Sequence, residues 1–203
     1  MRVFPLLSFA LLLTTMPAQA QRLAWDGSIG VSSDAWRAAA TGLWRVEVGR
    51  SVQLGVGARL SRYGGETSSY RSPDEDRSAA LPLRVRLAPS VWGLNLAVEG
   101  QVRVIGPLTV GANLDLAGIA TGSSRRDSGL KLEPARGSLF RYGDRDRGSL
   151  NSEFFLGWEA GRALALRAGV SHYVTGYRGT AGGASTRYLR FDTVPFLALR
   201  WVP

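Results

Sequence analysis

Three segments of this chain share one pattern, in which an alternating run of apolar and polar or small residues leads into a glycine turn and a second alternating run. They read WRVEVGRSVQLGVGARL from Trp44, VRVIGPLTVGANLDL from Val102 and GWEAGRALALRAGVSHY from Gly157. Successive side chains of a β-strand point to opposite faces of a sheet, so a period of two predicts strands with one apolar face. The pattern therefore predicts antiparallel hairpins joined by tight turns.

The first 20 residues are typical of an export signal. Arg2 precedes an apolar run from Val3 to Leu13, and Ala18-Gln19-Ala20 has the small residues of a cleavage site. The run is too short to cross a bilayer as a helix, which takes about 20 apolar residues. We therefore predict a signal peptide at residues 1–20 and one exported domain at residues 21–203.

The composition excludes several functional classes. The chain has no cysteine, which excludes disulfide scaffolds and thiolate metal sites. Its formal net charge is +9, but it lacks the basic helix and the aromatic platform that nucleic-acid binding would need. We predict no cofactor, no metal and no nucleic-acid partner, and we expect anionic lipopolysaccharide as the counter-charge.

Eight alternating segments predict the fold class, an all-β, closed antiparallel up-and-down transmembrane β-barrel. Counted backwards from residue 202, they place three short turns at one end and longer loops at the other, as outer-membrane barrels do. Polar loops are expected at residues 121–150 and 177–186. The predicted strands are residues 23–32, 36–48, 52–62, 92–105, 108–120, 151–160, 163–176 and 187–202.

One further segment does not fit an even count of strands. In residues 80–88, Leu81, Leu83, Val85 and Leu87 alternate with arginine or proline, which is a strand pattern. We interpret the segment as a strand extension or a hairpin arm within the second outer loop. The alternative is a barrel of ten strands.

The charged residues of the strands fall on the face opposite to the apolar set. A lone buried charge costs several kcal/mol, so charges enclosed in a narrow interior must pair. Arginine suits this role through its planar fork of donors, and eight strands leave an interior that side chains just fill. We therefore predict a salt-bridged, plugged lumen; the alternative is a narrow channel for small solutes. The predicted lumen network is Asp26, Arg37, Arg45, Glu47, Arg59, Glu99, Arg103, Asp115, Glu153, Glu159, Arg167, Arg190, Asp192 and Arg200.

The tryptophans fall on the apolar face. Amphipathic rings near strand ends are typical of the headgroup level of a membrane, so we interpret them as belt residues rather than as a ligand platform. They are Trp25, Trp36, Trp44, Trp92, Trp158 and Trp201.

The predicted loop at residues 121–150 is the surface best suited to binding, because loops on a rigid scaffold often carry function. Its basic side chains could contact lipopolysaccharide phosphates or a protein on another surface, and the alternative is a tolerated insertion. The binding candidates are Arg125, Arg126, Lys131, Arg136, Arg141, Arg145 and Arg147.

Over residues 21–203 this arrangement resembles the small outer-membrane β-barrel families: the barrel of OmpA, OmpX-like proteins and the PorT-like group. The three glycine-turn hairpins, the LPLR segment from Leu81 and the last-strand motif PFLALRW from Pro195 carry the resemblance. Such families end on an aromatic residue that the barrel-assembly machinery reads, whereas here Trp201 is followed by Val202-Pro203. The resemblance implies insertion into the bacterial outer membrane by that machinery, and a role in envelope integrity or surface interaction.

Two other classes remain as alternatives. Some eight-stranded barrels modify lipid A with a histidine and a serine, but His172 is predicted to face lipid while Ser171 points inward, and position 174 is valine. Adjacent strand residues cannot form a dyad, so we predict no catalytic residues. A soluble lipocalin-like barrel would need an apolar interior and a polar outside.

Overall fold

The computed structural model describes residues 21–73, 81–161 and 163–203. The signal peptide predicted at residues 1–20 lies outside these ranges. The described residues form strands and their connections, with one 3-10 turn at Gly143–Arg145. In the same ranges, no helix is long and apolar enough to cross a membrane.

Thirteen strands are present in the described residues. The alternation of apolar and polar side chains that predicted them gives each long strand one buried and one exposed face. They are β1 Gln21–Val31, β2 Ala35–Val48, β3 Val52–Gly65, β4 Ser68–Arg71, β5 Arg84–Leu87, β6 Ser90–Ile105, β7 Leu108–Gly122, β8 Arg125–Asp127, β9 Leu130–Pro134, β10 Gly137–Leu139, β11 Leu150–Glu159, β12 Leu164–Ala181 and β13 Ala184–Trp201.

Eight long strands form a closed antiparallel ring in the order β1, β2, β3, β6, β7, β11, β12 and β13. The last strand pairs with the first, with Trp25 opposite Trp201 and Gly30 opposite Phe196. Each strand of the ring is therefore hydrogen-bonded on both sides, and the ring has no free edge. The predictions of an all-β chain and of eight antiparallel strands are confirmed.

Three short connections lie at one end of the ring, which we call the short-turn end. They join β2 to β3, β6 to β7 and β11 to β12. Gly49 and Gly106 take φ values of 70° and 51° in the first two. A side chain rarely adopts this left-handed region, so glycine is the residue that lets these turns stay short.

The prediction of a loop at residues 177–186 is wrong. β12 continues to Ala181 and β13 begins at Ala184, so the two strands meet at a two-residue turn. Gly182 and Gly183 have φ values of 54° and 81°, as a hairpin turn of the primed type requires. The segment contains many polar residues because its outward face meets water.

The predicted loop at residues 121–150 contains three strands, β8, β9 and β10. β9 lies beside β12, with Pro134 opposite Tyr177, and β10 lies beside β7, with Leu139 opposite Ala117. Leu130 and Lys131 begin an alternating strand whose leucines are buried, which explains why a highly charged segment forms ordered sheet.

The arm predicted near residues 80–88 is a short hairpin outside the ring. β5 pairs with β4, with Val85 opposite Tyr70. β4 in turn meets β13, where Arg71 lies opposite Leu189. The ring therefore keeps eight strands, and the ten-stranded alternative does not describe it.

A second, apolar core lies beyond the ring at the end opposite the short turns. We call this part the cap: β4, β5, β8, β9 and residues 177–188 of the β12–β13 hairpin. Its buried side chains pack together as in a water-soluble domain. The cap core consists of Tyr70, Leu81, Val85, Leu87, Val91, Ala120, Leu130, Leu132, Tyr177 and Tyr188.

The Tyr70 hydroxyl is an unpaired polar group in the cap core. It is buried and has no hydrogen-bond partner in the described part of the chain, and burial raises the pKa of Tyr70 well above its usual value. Because an unpaired buried hydroxyl costs free energy, we expect Tyr70→Phe to leave the free energy of unfolding unchanged or to raise it by about 1 kcal/mol. A urea titration of the folded protein measures this change.

Tyr188→Phe is the matched control for this prediction, because the Tyr188 hydroxyl donates a 2.8 Å hydrogen bond to the carbonyl oxygen of Pro82. We expect this variant to lose about 1 kcal/mol. If Tyr70→Phe destabilises the protein as much as Tyr188→Phe does, the Tyr70 hydroxyl has a partner in solution.

Candidate functional site

The ring turns almost all of its charged side chains inward and most of its large apolar side chains outward, although Leu43, Phe155 and Phe196 are buried inside. On β2, Arg37 and Arg45 are buried while Trp36 and Trp44 are exposed. The extremes are Arg59, which is 0% exposed, and Ile105, which is 73% exposed. This distribution is the reverse of the ordinary one, in which arginine is almost never fully buried unless it is paired.

Five inward residues form a cluster nearest the short-turn end, which we call the Arg200 cluster. The Arg200 guanidinium donates to both oxygens of Asp26, each at 2.6 Å, and to both oxygens of Glu99, at 2.8 and 2.5 Å. Arg167 lies 2.5 Å from Asp26 and 3.3 Å from Glu99, and Arg45 lies 3.4 Å from Glu99. Two carboxylates from β1 and β6 are thus shared by three arginines from β2, β12 and β13.

Four inward residues form a second cluster in the middle of the ring, the Arg59 cluster. Arg59 lies 3.1 Å from Asp115 and 2.9 Å from Glu153, and Arg37 lies 2.8 Å from Glu153. Asn95 donates to Asp115 at 2.8 Å. Its two arginines and two carboxylates balance in charge, which is the condition for burying them at a tolerable cost.

A third group lies where the ring meets the cap. Arg190 is 2.6 Å from Asp192, and Tyr63 donates a 2.5 Å hydrogen bond to the same carboxylate. Arg190 also binds Asp34, and this hydrogen bond holds the pKa of Asp34 below its usual value. The Tyr63 ring stacks on that of Tyr173 at 4.6 Å between centroids. The two rings form an aromatic layer across the interior.

The remaining three members of the predicted lumen network lie at the mouth of the short-turn end. Arg103 and Glu159 form a 2.8 Å ion pair, but their side chains are 45% and 24% exposed. With Glu47 they line an open cavity of about 180 Å³, whose inner wall includes Arg45 and Arg200. The structure therefore places eleven of the fourteen residues in the three interior groups and leaves these three in contact with solvent.

Uncharged polar residues that the sequence analysis did not single out complete the interior. Asn151 donates to Glu153 at 3.1 Å through its side chain and to Asp115 at 3.0 Å through its backbone. Gln101 accepts a 3.2 Å hydrogen bond from Arg200. These residues occupy inward register positions on the same strands as the charges, so the alternation itself was the signal that could have identified them.

The largest side chains inside the described ring are almost fully buried. Arg37, Arg59, Arg200, Tyr63 and Tyr173 are each less than 2% exposed. Side chains that line an open pore would instead be exposed to water. The cap core then covers the interior at the far end.

His172 and Ser171 lie on opposite faces of β12. His172 is exposed on the outer face, where its Nδ1 atom lies 3.2 Å from the Thr193 hydroxyl. Ser171 is buried inside and donates to Asn151. The two side chains therefore form no dyad.

All six tryptophans lie on the outer face and are between 39% and 54% exposed. Trp36 and Trp92 lie toward the cap and flank Arg62, whose guanidinium is 5.7 and 4.8 Å from their ring centroids. The other four lie toward the short-turn end: Trp25, Trp44, Trp158 and Trp201.

The seven predicted binding candidates are scattered along the segment that joins β7 to β11. Lys131 is engaged by Glu133 at 2.5 Å, and Arg125 donates to the Ala88 carbonyl oxygen at 3.3 Å. The structure brings only Arg136 and Arg147 together in one cleft. The other three, Arg126, Arg141 and Arg145, are exposed elsewhere.

Comparisons with known proteins assign this chain to no family. No family model matches the sequence, and no curated protein matches it either. A function is therefore inferred from the ring, its charged interior and its cap.

Proposed function

We propose that this protein is an outer-membrane β-barrel with a plugged interior, which serves envelope integrity or surface interaction through its cap. The observation that carries the proposal is the reversed polarity of the ring, with buried arginines and carboxylates inside and exposed aliphatic and aromatic side chains outside. In water such a surface would be an aggregation liability, since monomeric soluble proteins rarely expose large contiguous apolar patches. In lipid it is the stable arrangement.

The height of the apolar band supports a membrane location. Trp36 and Trp44 both point outward from β2 and are eight residues apart, which is about 27 Å along a strand. With a strand tilt of about 40°, the two rings are separated by roughly 20 Å along the axis, close to the apolar band of about 25 Å in outer-membrane barrels. Tryptophans at both levels are typical of the two membrane interfaces.

The polarity of the cap gives the proposed orientation. Its core is apolar and its outer face carries arginines, as expected of a part that stands in water. Outer-membrane barrels keep short turns on the periplasmic side and longer segments outside. We therefore place the short-turn end in the periplasm and the cap at the cell surface.

The plug favours a structural or binding role over passage of solutes. A channel needs a continuous water path, whereas here the Arg200 and Arg59 clusters and the Tyr63–Tyr173 layer fill successive levels of the interior. The soluble lipocalin-like alternative requires an apolar interior, and the interior of the ring is charged. An enzyme that uses His172 with Ser171 would need both side chains on one face.

Reconstitution of residues 21–203 into lipid bilayers tests the proposal. We expect a heat-modifiable band on an unboiled gel, which reports a folded barrel, and no steady single-channel conductance in the same preparation. Steady ion-selective conductance would contradict the plug and make the interior charges a permeation path. A chain that stays water-soluble and monomeric without lipid or detergent would contradict the membrane location.

A further inference from the structure

Arg62 is an exception to the polarity of the ring. It is exposed on the outer face of β3. In the described part of the ring, apart from the cap, it is the one arginine on that face. An arginine on the lipid face of an outer-membrane barrel is costly at the membrane midplane and is tolerated near the interfaces. The surroundings of Arg62 therefore bear on what it contacts outside the protein.

Two tryptophans hold the Arg62 guanidinium on the outer surface. The guanidinium carbon lies 4.8 Å from the ring centroid of Trp92 and 5.7 Å from that of Trp36, within the range of cation–π contacts. Arg62 is directly opposite Trp92 on β6, and Trp36 is opposite Gly64. A Cβ atom at position 64 would come within 2.8 Å of the Trp36 ring, so glycine leaves room for that ring to lie across β3.

The N–H groups of Arg62 have no acceptor among the described side chains, because the two ring contacts are the interactions that the structure gives it. Stacking uses the faces of a guanidinium and leaves its five donors free at the edge. The carboxylate of Asp34, at the rim above, is bound by Arg190. Glu66 comes four residues after Arg62, about 13 Å further along the chain. The donors of Arg62 are therefore available to an external anion.

The residues on the other side of Arg62 are apolar and exposed. Toward the short-turn end, the next outward side chains on β3 and β6 are Leu60 and Leu94, which lie opposite each other. Each is 49% exposed, and they are about 7 Å from Arg62 along the strands. An amphiphile with its anion at Arg62 would place its apolar chains over these leucines.

We infer that Trp36, Arg62 and Trp92 bind the phosphate group of a membrane lipid in the leaflet beside the cap, and we call these three residues the Arg62 site. The planar fork of arginine binds phosphate in a bidentate manner, and tryptophans are typical of headgroup level. The inference rests on the membrane location proposed above. It deepens that proposal by naming the ligand chemistry and the residues that would hold it.

Native mass spectrometry of residues 21–203 in detergent micelles tests the inference. The probes are phosphatidic acid and diacylglycerol with the same acyl chains, which differ by one phosphate group. We expect phosphatidic acid to bind about tenfold more tightly, because hydrogen bonds between charged groups are the strong ones. Arg62→Gln should reduce this preference to about twofold or less, since the amide keeps polarity but loses the charge.

The matched control for charge is Arg84→Gln, which removes one exposed arginine from β5 in the cap. We expect this variant to keep the full preference for phosphatidic acid. Equal losses in Arg62→Gln and Arg84→Gln would show an effect of net charge and would overturn the site. Equal binding of the two lipids by the unaltered protein would also overturn it. Unboiled gels of each variant verify that it is folded.

Trp92→Leu tests whether the rings position the guanidinium. Leucine keeps an apolar side chain but removes the aromatic face, so we expect the preference for phosphatidic acid to fall about threefold. The control is Trp158→Leu at the short-turn end, where the ring is 54% exposed, and it should leave the preference unchanged. Equal losses in the two variants would indicate a general effect of the tryptophans on lipid uptake and would overturn the site.

Inorganic phosphate as a competitor separates the two possible sources of the anion. We expect phosphatidic acid to stay bound at millimolar phosphate; displacement at micromolar phosphate would show that the lipid assignment is wrong. Insertion into bilayers is scored separately. A protein that inserts but shows no phosphate preference contradicts this inference alone, whereas a protein that prefers phosphatidic acid but fails to insert contradicts the membrane location.

Discussion

Arg200→Met should lower the free energy of unfolding by about 3–5 kcal/mol, the cost of removing one partner from a buried ion pair. Arg200 holds Asp26 and Glu99 with four hydrogen bonds between 2.5 and 2.8 Å. Methionine fills similar volume but leaves both carboxylates, which are 7% and 4% exposed, with fewer donors. A urea titration in detergent micelles, followed by gel migration of unboiled samples, measures the loss.

Arg103→Met is the control for this prediction. Arg103 also pairs with a carboxylate, Glu159, but its side chain is 45% exposed at the mouth of the ring. Exposed pairs contribute about 0–1 kcal/mol, so the variant should unfold almost as the unaltered protein does. Equal effects of the two substitutions would show that water reaches Arg200, and the plug would then be wrong.

Leu197→Arg should destabilise the protein in bilayers by about 2–4 kcal/mol, the cost of an arginine near the membrane midplane. Leu197 is 66% exposed on β13 and lies four residues from Trp201, which is about 13 Å along the strand. The expected cost arises because the guanidinium would have to stay in hydrocarbon or distort the lipid around it. Folding yield and urea stability in vesicles report the effect.

Ser185→Arg adds the same charge to the same strand at a position beyond the apolar band. Ser185 is exposed beside the hairpin turn that begins β13. We expect a change within about 0.5 kcal/mol, as for most surface substitutions. If Leu197→Arg proves as harmless as Ser185→Arg, the apolar exterior faces water or a protein partner, and the membrane location is wrong.

The ring could be predicted from the sequence because its strands are long and alternate strictly. Residues 36–48 and 187–202, for example, lie almost wholly within β2 and β13. Alternation assigns each side chain to a face but gives no depth along the axis. The sequence therefore groups Arg103 and Glu159 with Arg200, although the structure places them at the mouth.

The cap could not be predicted because the same alternation has a different meaning beyond the ring. Tyr177 and Tyr188 point inward like Arg167 and Arg200 on the same strands, but they bury apolar rings against water-exposed neighbours. A period of two does not say which of its two faces is buried. For this reason the sequence predicts loops at residues 121–150 and 177–186, where the structure has strands.

The cleft that Arg136 and Arg147 share could not be predicted from the sequence for a related reason. Arg136 and Arg147 come from one predicted loop, whereas Arg178 and Arg187, which line the same cleft, lie in or beside another. Only the pairing of β9 with β12 brings the two segments together. Contacts of this kind depend on strand order, which local patterns do not encode.

The closure of β1 against β13 makes assembly of this protein an all-or-none event. Asp26 and Arg200 are 174 residues apart in the chain, and their ion pair forms only after the last strand is made and delivered. Until then β1 presents an unpaired edge, which is an aggregation hazard. A chain that is cut short before β13 would therefore remain an open sheet with unmatched acids on its polar face, a state that a protease can distinguish from the finished ring.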